Sequence, residues 1–304
     1  MSIPMPQSSA ERGPETGPSR AEGFVLTDAH VHVHGCFDSG VFLDAALGNF
    51  QRGAGALGLG GSLAFCLLLT EMKGVSFFQR FRDGGAAGGW GGWTFEPTAE
   101  PESLTARRRG TDDRLVLIAG RQIATREGLE VLALCTAEEV PDGLSLGETL
   151  DRVRAAGALP VLPWGFGKWW LSRGERVARQ IRELPADAEL YLGDNAGRPA
   201  GALPSRLLRA AEERGIPVLP GSDPLPLETH ADRAGSYGFL LSGKLDPDRP
   251  AQSLARRVRR VRAAGGRLRP FGRRSGLLQF CRDQATLRAI GRPGHRGSSQ
   301  GAAR

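Results

Sequence analysis

The stretch Thr27-Asp28-Ala29-His30-Val31-His32-Val33-His34 alternates imidazole and aliphatic side chains directly after the apolar entry Phe24-Val25-Leu26. Along a β-strand, successive side chains point to opposite faces, so His30, His32 and His34 share one side. Two imidazoles at one strand end can supply two nitrogen donors to a single metal ion. The chain has five histidines, and three of them stand here beside Asp28. A solvated strand end carries the same pattern, so its meaning depends on what the other strands bring.

With 304 residues and 40% hydrophobic content, the chain can bury one large α/β domain or two small ones. Its net charge of +7 is carried almost wholly by arginine, since the only lysines are Lys73, Lys168 and Lys244. That balance is compatible with a small anionic substrate or with nucleic acid and specifies neither. Cys36, Cys66, Cys135 and Cys281 lie far apart with no Cys-x-x-Cys pair, as expected in a reducing, cytoplasmic compartment. No apolar run approaches the roughly 18 residues of a membrane-spanning helix. Residues 1–22 have no apolar core and read as a disordered leader, and residues 291–304 as a disordered tail.

Between these ends, strand and helix signals alternate. Ser62 to Thr70 is a continuous apolar run, the mark of a strand covered on both faces. Leu115–Gly120 and Glu130–Leu134 read as a hairpin about the turn Thr125-Arg126-Glu127-Gly128. Helical periodicity over Leu146–Ala156 stops at Gly157, and a helix over Pro204–Arg214 stops at Gly215. Strands follow at Leu159–Trp164, Glu189–Gly193 and Ile216–Gly221. Repeated strand-helix-strand units predict a parallel α/β sheet or barrel. A domain over residues 23–245 is then followed by a basic helical segment, 246–290, packed on it. From Ala251 to Cys281 there are nine arginines and no acid, and Leu254, Val258 and Val261 mark an apolar stripe on a basic helix. Such a face suits a phosphate backbone or simply solvent.

In order and spacing, five stretches resemble the polymerase and histidinol phosphatase (PHP) family of metal-dependent phosphoesterases. Asp28-Ala29-His30-Val31-His32 resembles the family's opening His-x-His strand. Leu69-Thr70-Glu71-Met72 falls where the family has Thr-Asp-His. Gly120 to Gly128, followed by Val131-Leu132-Ala133-Leu134, is similar to its Gly-x-Glu-Ile hairpin. Ala155 to Trp164 resembles the approach to its Ala-His-Pro, and Gly215 to Asp223 the approach to its Gly-Ser-Asp-Ala-His. The resemblance implies a distorted, seven-stranded β/α barrel with its site at the carboxyl ends of the strands, where up to three divalent metals bind a phosphoester.

The chain departs from that pattern at most ligand positions. His30, His32 and Asp223 match. Met72 and Trp164 replace histidines, Gln122 replaces a bridging glutamate, and Pro224-Leu225 follows Asp223 where a last histidine belongs. Glu71 keeps a carboxylate as fourth ligand or general base. Four donors can hold one metal, zinc or manganese or similar, but not three. Lys168 stands past a strand end as a catalytic candidate. Gln122, Trp164, Asp194, Asn195 and His230 are candidates to line the pocket. The expected function is a mononuclear metal-dependent hydrolase of a phosphoester or related anion; the alternative is a non-catalytic, metal-free barrel that binds a ligand or partner protein.

Overall fold

The computed structural model describes residues 23–84, 90–165, 169, 171–185, 188–199 and 206–290. The leader 1–22, the tail 291–304 and Lys168 lie outside the described residues. The chain runs β1 (Phe24–Val31), α1 (Ser39–Ala56), β2 (Leu63–Leu69), α2 (Phe77–Gly84), β3 (Trp93–Pro97), β4 (Ser103–Arg108), β5 (Arg114–Ile118), β6 (Gly120–Ala124) and β7 (Glu130–Leu134). It continues through α3 (Leu146–Ala155), β8 (Leu159–Pro163), α4 (Leu171–Glu183), β9 (Tyr191–Asn195), α5 (Arg206–Glu213) and β10 (Val218–Gly221). After a 3-10 turn at Glu228–His230 come β11 (Tyr237–Ser242), α6 (Pro250–Ala263), β12 (Arg269–Gly272) and α7 (Leu277–Ile290).

The strands form two open sheets, ordered β12-β11-β1-β2-β5-β4-β3 and β10-β9-β8-β7-β6. This overturns the expected closed seven-stranded barrel. The reason lies in the edges. β1 is already paired on one side with β11 and on the other with β2, and β2 pairs with both β1 and β5. A strand has two edges, so neither can form a ladder with the second sheet. Only isolated bonds cross the two seams. Asp223 N–H donates to the His30 carbonyl (2.8 Å) at one; at the other, Glu71 N–H donates to the Gly120 carbonyl (3.2 Å) and the Glu71 carbonyl accepts from Gln122 N–H (2.9 Å).

The hairpin expectation also shifts by one strand. β5 ends at Ile118 in the first sheet, and the true partner of β7 is β6, paired Gly120↔Leu134 through Ala124↔Glu130. The chain changes sheet at Ala119-Gly120. Gly120 is held there by close packing: a Cβ would sit 2.6 Å from the Leu69 carbonyl oxygen and 2.9 Å from that of Ala133.

Local chemistry explains the helix ends. The Asp38 carboxylate caps α1 by accepting from the Gly40 and Val41 amides. Ser145 and Glu148 form a reciprocal capping box on α3, and Gly157 follows that helix with φ of 69°. Apolar layers fill both faces of each sheet. Val25, Ala29, Leu132, Tyr191, Leu219, Leu254 and Val258 make the core between the sheets and under α6. Phe42, Phe50, Phe65 and Trp93 pack outside the first sheet, and Val131, Leu150, Val177 and Leu208 outside the second. The Trp90 and Trp93 rings serve this packing. Trp93 is buried with its Nε1 donating to Asp44, and Trp90 packs edge-on against Phe81.

Helix α6 closes the end of the core where β8 and β9 begin. Its basic face is largely spent on backbone. Arg259 donates to the Gly157 carbonyl (2.8 Å) and pairs with Glu189 (2.9 Å). Arg262 donates to the carbonyls of Leu190 and Ala188. Segment 246–290 also contributes β12 to the first sheet, so it is woven into the fold rather than laid upon it. No helix among the described residues is long and apolar enough to cross a membrane.

Gly120→Ala is expected to destabilise the fold by about 2 kcal/mol, as overpacking at a site without room does. A urea titration would check it; an unchanged midpoint would mean that the seam accommodates a methyl group.

Candidate metal centre

The ends of β1 and β10 meet at one carboxylate. Asp28 is fully buried and accepts three backbone N–H bonds: His30 (3.2 Å) and Ser222 (2.8 Å) on Oδ1, and Gly235 (2.8 Å) on Oδ2. One side chain thus ties the end of β1 to the end of β10 and to the approach to β11. Burial pushes the Asp28 carboxyl up to about 6, against the lowering effect of these amide bonds.

This clamp brings His30, His32 and Asp223 together. The two Nε2 atoms are 3.0 Å apart, and they lie 3.5 and 3.6 Å from Asp223 Oδ1. Among the described residues these three form a group whose ligand atoms all lie within 4.8 Å of one another. Metal–ligand bonds of roughly 2.0–2.2 Å place adjacent donors roughly 3.0–3.6 Å apart in tetrahedral or octahedral sites, so the three fit one divalent ion. Asp223 adopts a left-handed backbone, φ 49°, which asparagine and aspartate tolerate better than most residues. Its Oδ2 accepts from Asn195 Nδ2 (2.8 Å), which also donates to the Trp164 carbonyl. That bond orients Oδ1 toward the imidazoles, as outer hydrogen bonds orient metal ligands. Gln122 Oε1 lies 3.2 Å from His30 Nε2.

The other expected residues are placed differently. Glu71 is buried, but its Oε1 accepts from the Phe78 amide (2.7 Å) and its Oε2 from Arg121 (3.2 Å). It is not part of the group of three, and burial raises its pKa. Asp194 makes a two-pronged buried pair with Arg198 (2.6 and 2.7 Å) and accepts from Tyr237 Oη (2.9 Å). His34 turns away, its Nε2 3.0 Å from the Pro224 carbonyl oxygen. His230 does not bond to Asp223, though it lines the same small cavity. Its Nδ1 accepts the Leu225 amide (3.0 Å), and its Nε2 lies 3.2 Å from Asp283 Oδ1.

A small cavity opens beside the cluster. Trp164, Asn195 and Asp223 line one part of it, and Arg233, Phe280 and Asp283 another. The last two belong to α7, which lies inside the segment 246–290 expected to be helical. Arg198 and Arg233 were missed because a pairing between an arginine and a distant or helix-spaced acid leaves no local pattern.

No protein-family model matches the chain, and no curated protein matches it. Among solved structures, PsfC from Pseudomonas syringae PB-5123 is similar, with a TM-score of 0.51 at 15% identity over 89% of this chain and 98% of PsfC. That likeness is one of fold. Endonuclease Q, in complex with a 27-mer duplex substrate with an abasic lesion at the active site, gives 0.46 at 12% identity over 78% of this chain. The lesion-specific endonuclease PfuEndoQ from Pyrococcus furiosus gives 0.47 at 12% identity over the same share. The chain spans 57% and 56% of those two structures.

Two outcomes follow from this geometry. Asp28→Ala should orphan three amides and lower stability by at least ~2 kcal/mol, since each unsatisfied buried donor costs about 1–3 kcal/mol. Chemical denaturation measures it. His230 has its pKa lowered by burial and by Arg233. The neutral form is therefore favoured in the fold, and its contribution is present above the unfolded pKa near 6.5 and lost as pH falls below it. Between pH 7.5 and 5.5 the wild type should lose more stability than His230→Gln; equal losses would contradict the assignment.

Proposed function

We propose that the chain is a PHP-like protein whose triad of His30, His32 and Asp223 holds one divalent ion, zinc or manganese or similar, and that it hydrolyses a phosphoester or related small anion. The observation that supports this reading is the convergence of three donors from the ends of β1 and β10 at 3.0, 3.5 and 3.6 Å. A metal ion bound there would lower the pKa of a bound water toward neutrality and polarise the ester oxygen.

The chain's own residues supply the setting. His30 and His32 present their Nε2 atoms side by side, and Asn195 fixes the Asp223 carboxylate. Arg233 brings a cation to the adjoining cavity, anchored by Ser275 Oγ (2.8 Å) and Asp283 (3.4 Å). Trp164 and Phe280 in the same lining limit the cavity to a small substrate. Glu71 serves in this reading as the anchor of Arg121, and a role as general base would require it to leave two partners.

A second reading, a metal-free, non-catalytic protein that binds a ligand or partner protein, draws on Gln122. With the two imidazoles 3.0 Å apart and Gln122 3.2 Å from one of them, the polar atoms can satisfy one another by hydrogen bonds alone. Elemental analysis of protein purified with zinc or manganese separates the two. Near-stoichiometric metal, lost in His30→Ala/His32→Ala together with hydrolysis of a phosphoester panel, is the expected result. A metal-replete preparation without bound metal would leave the second reading.

A further inference from the structure

A large concavity lies at the other end of the first sheet. Phe24, the first residue of β1, lines it, whereas His30 stands six residues on. At about 3.3 Å per strand residue the two regions are roughly 20 Å apart. The concavity has a volume near 1060 Å³, and four arginines line it: Arg257, Arg260, Arg267 and Arg269. No acidic residue does.

These arginines differ from those that cap the strand ends. Arg260, Arg267 and Arg269 are exposed. Arg260 and Arg269 make no side-chain hydrogen bond or ion pair among the described residues, and Arg267 approaches Glu212 only at 3.6 Å. Arg257 is pinned by the carbonyls of Ser242 and Lys244, and its buried Nε has no hydrogen-bond partner. Gly243 makes room for it: with φ of 91°, a Cβ there would sit 2.6 Å from Arg257 Nη1. The facing wall is the loop Gly58-Leu59-Gly60-Gly61. The amides of Gly60 and Gly61 make no backbone hydrogen bond and are exposed. Leu57, Leu59, Val261 and Leu268 add an apolar surface.

Like charges gathered in a hollow without acids repel one another and raise the local concentration of anions. Guanidinium groups match phosphate oxygens in pairs, and exposed glycine amides add donors suited to the same oxygens. We propose that this hollow is a second binding site, separate from the metal centre, for a small oligophosphate ester. Its phosphates meet Arg260, Arg267, Arg269 and the glycine loop, and its organic part rests on the leucines. A concave site of this size favours a compact ligand over an extended strand.

Isothermal titration with tripolyphosphate and with ATP tests the proposal. Both are expected to bind with one-to-one stoichiometry, ATP more tightly through its organic part. Arg260→Ala/Arg267→Ala/Arg269→Ala should weaken both by at least about tenfold, as loss of charge-assisted hydrogen bonds does. The single variant Arg269→Glu should weaken them in the same direction if the triple variant melts early. His30→Ala/His32→Ala should leave this binding unchanged, so failure of the metal reading would not touch it. Absence of binding at millimolar probe overturns the proposal. So does binding that disappears with the histidines. Tighter binding of a single-stranded oligonucleotide that also depends on Arg256 and Arg273 would overturn it in favour of nucleic acid.

Discussion

The buried carboxylate of Asp28 holds the site together. It carries a cost, because a rise in pKa from 3.8 to about 6 corresponds to roughly 3 kcal/mol against the charged form. What it supplies is an acceptor for three amides that would otherwise be orphaned at the junction of β1, β10 and the approach to β11. Those amides belong to His30 and to the residue before Asp223, so the same bonds that close the junction set the two sides of the metal centre. A hydrophobic residue at position 28 would pack the core and lose that register.

The junction also explains why two open sheets can present one site. With β1 and β2 paired on both edges, the second sheet meets the first through a few isolated backbone hydrogen bonds. One backbone bond, from the Asp223 amide to the His30 carbonyl, joins the two residues, and the placing of their side chains is left to other contacts. Side chains do that work: Asp28 from below, and Asn195 holding Asp223 from β9.

Sequence legibility follows the range of the forces involved. The His-x-His strand, the apolar run of β2, the capped helix α3 and the strands before Trp164 and Asp223 are written in local periodicity and turn chemistry. They could be read, and they include the residues that the fold brings together as His30, His32 and Asp223. Closure of the sheet could not be read, since it depends on which edges are already occupied. β3, β4, β11 and β12 are antiparallel additions whose partners are chosen by tertiary packing. The surroundings of Glu71 were hidden for a related reason: an arginine fifty residues away pairs with its carboxylate. The direction of a side chain is settled by its partners, and those are not neighbours in sequence.

The same distinction divides the arginines. Counted along the chain, the segment after Ala251 is one basic run. In the fold some of its arginines donate to backbone carbonyls, Arg256 and Arg267 approach side chains, and Arg260 and Arg269 have no side-chain partner among the described residues. Arg259 and Arg262 donate to carbonyls of residues just ahead of β8 and β9, so their charge is partly neutralised by carbonyl dipoles and, for Arg259, by Glu189. Arg260 and Arg269 receive no such compensation. An uncompensated guanidinium gains nothing for the fold and adds repulsion to its neighbours. Two of them in one acid-free hollow, together with the pinned Arg257, therefore point to an anion rather than to stability as the reason for their arrangement.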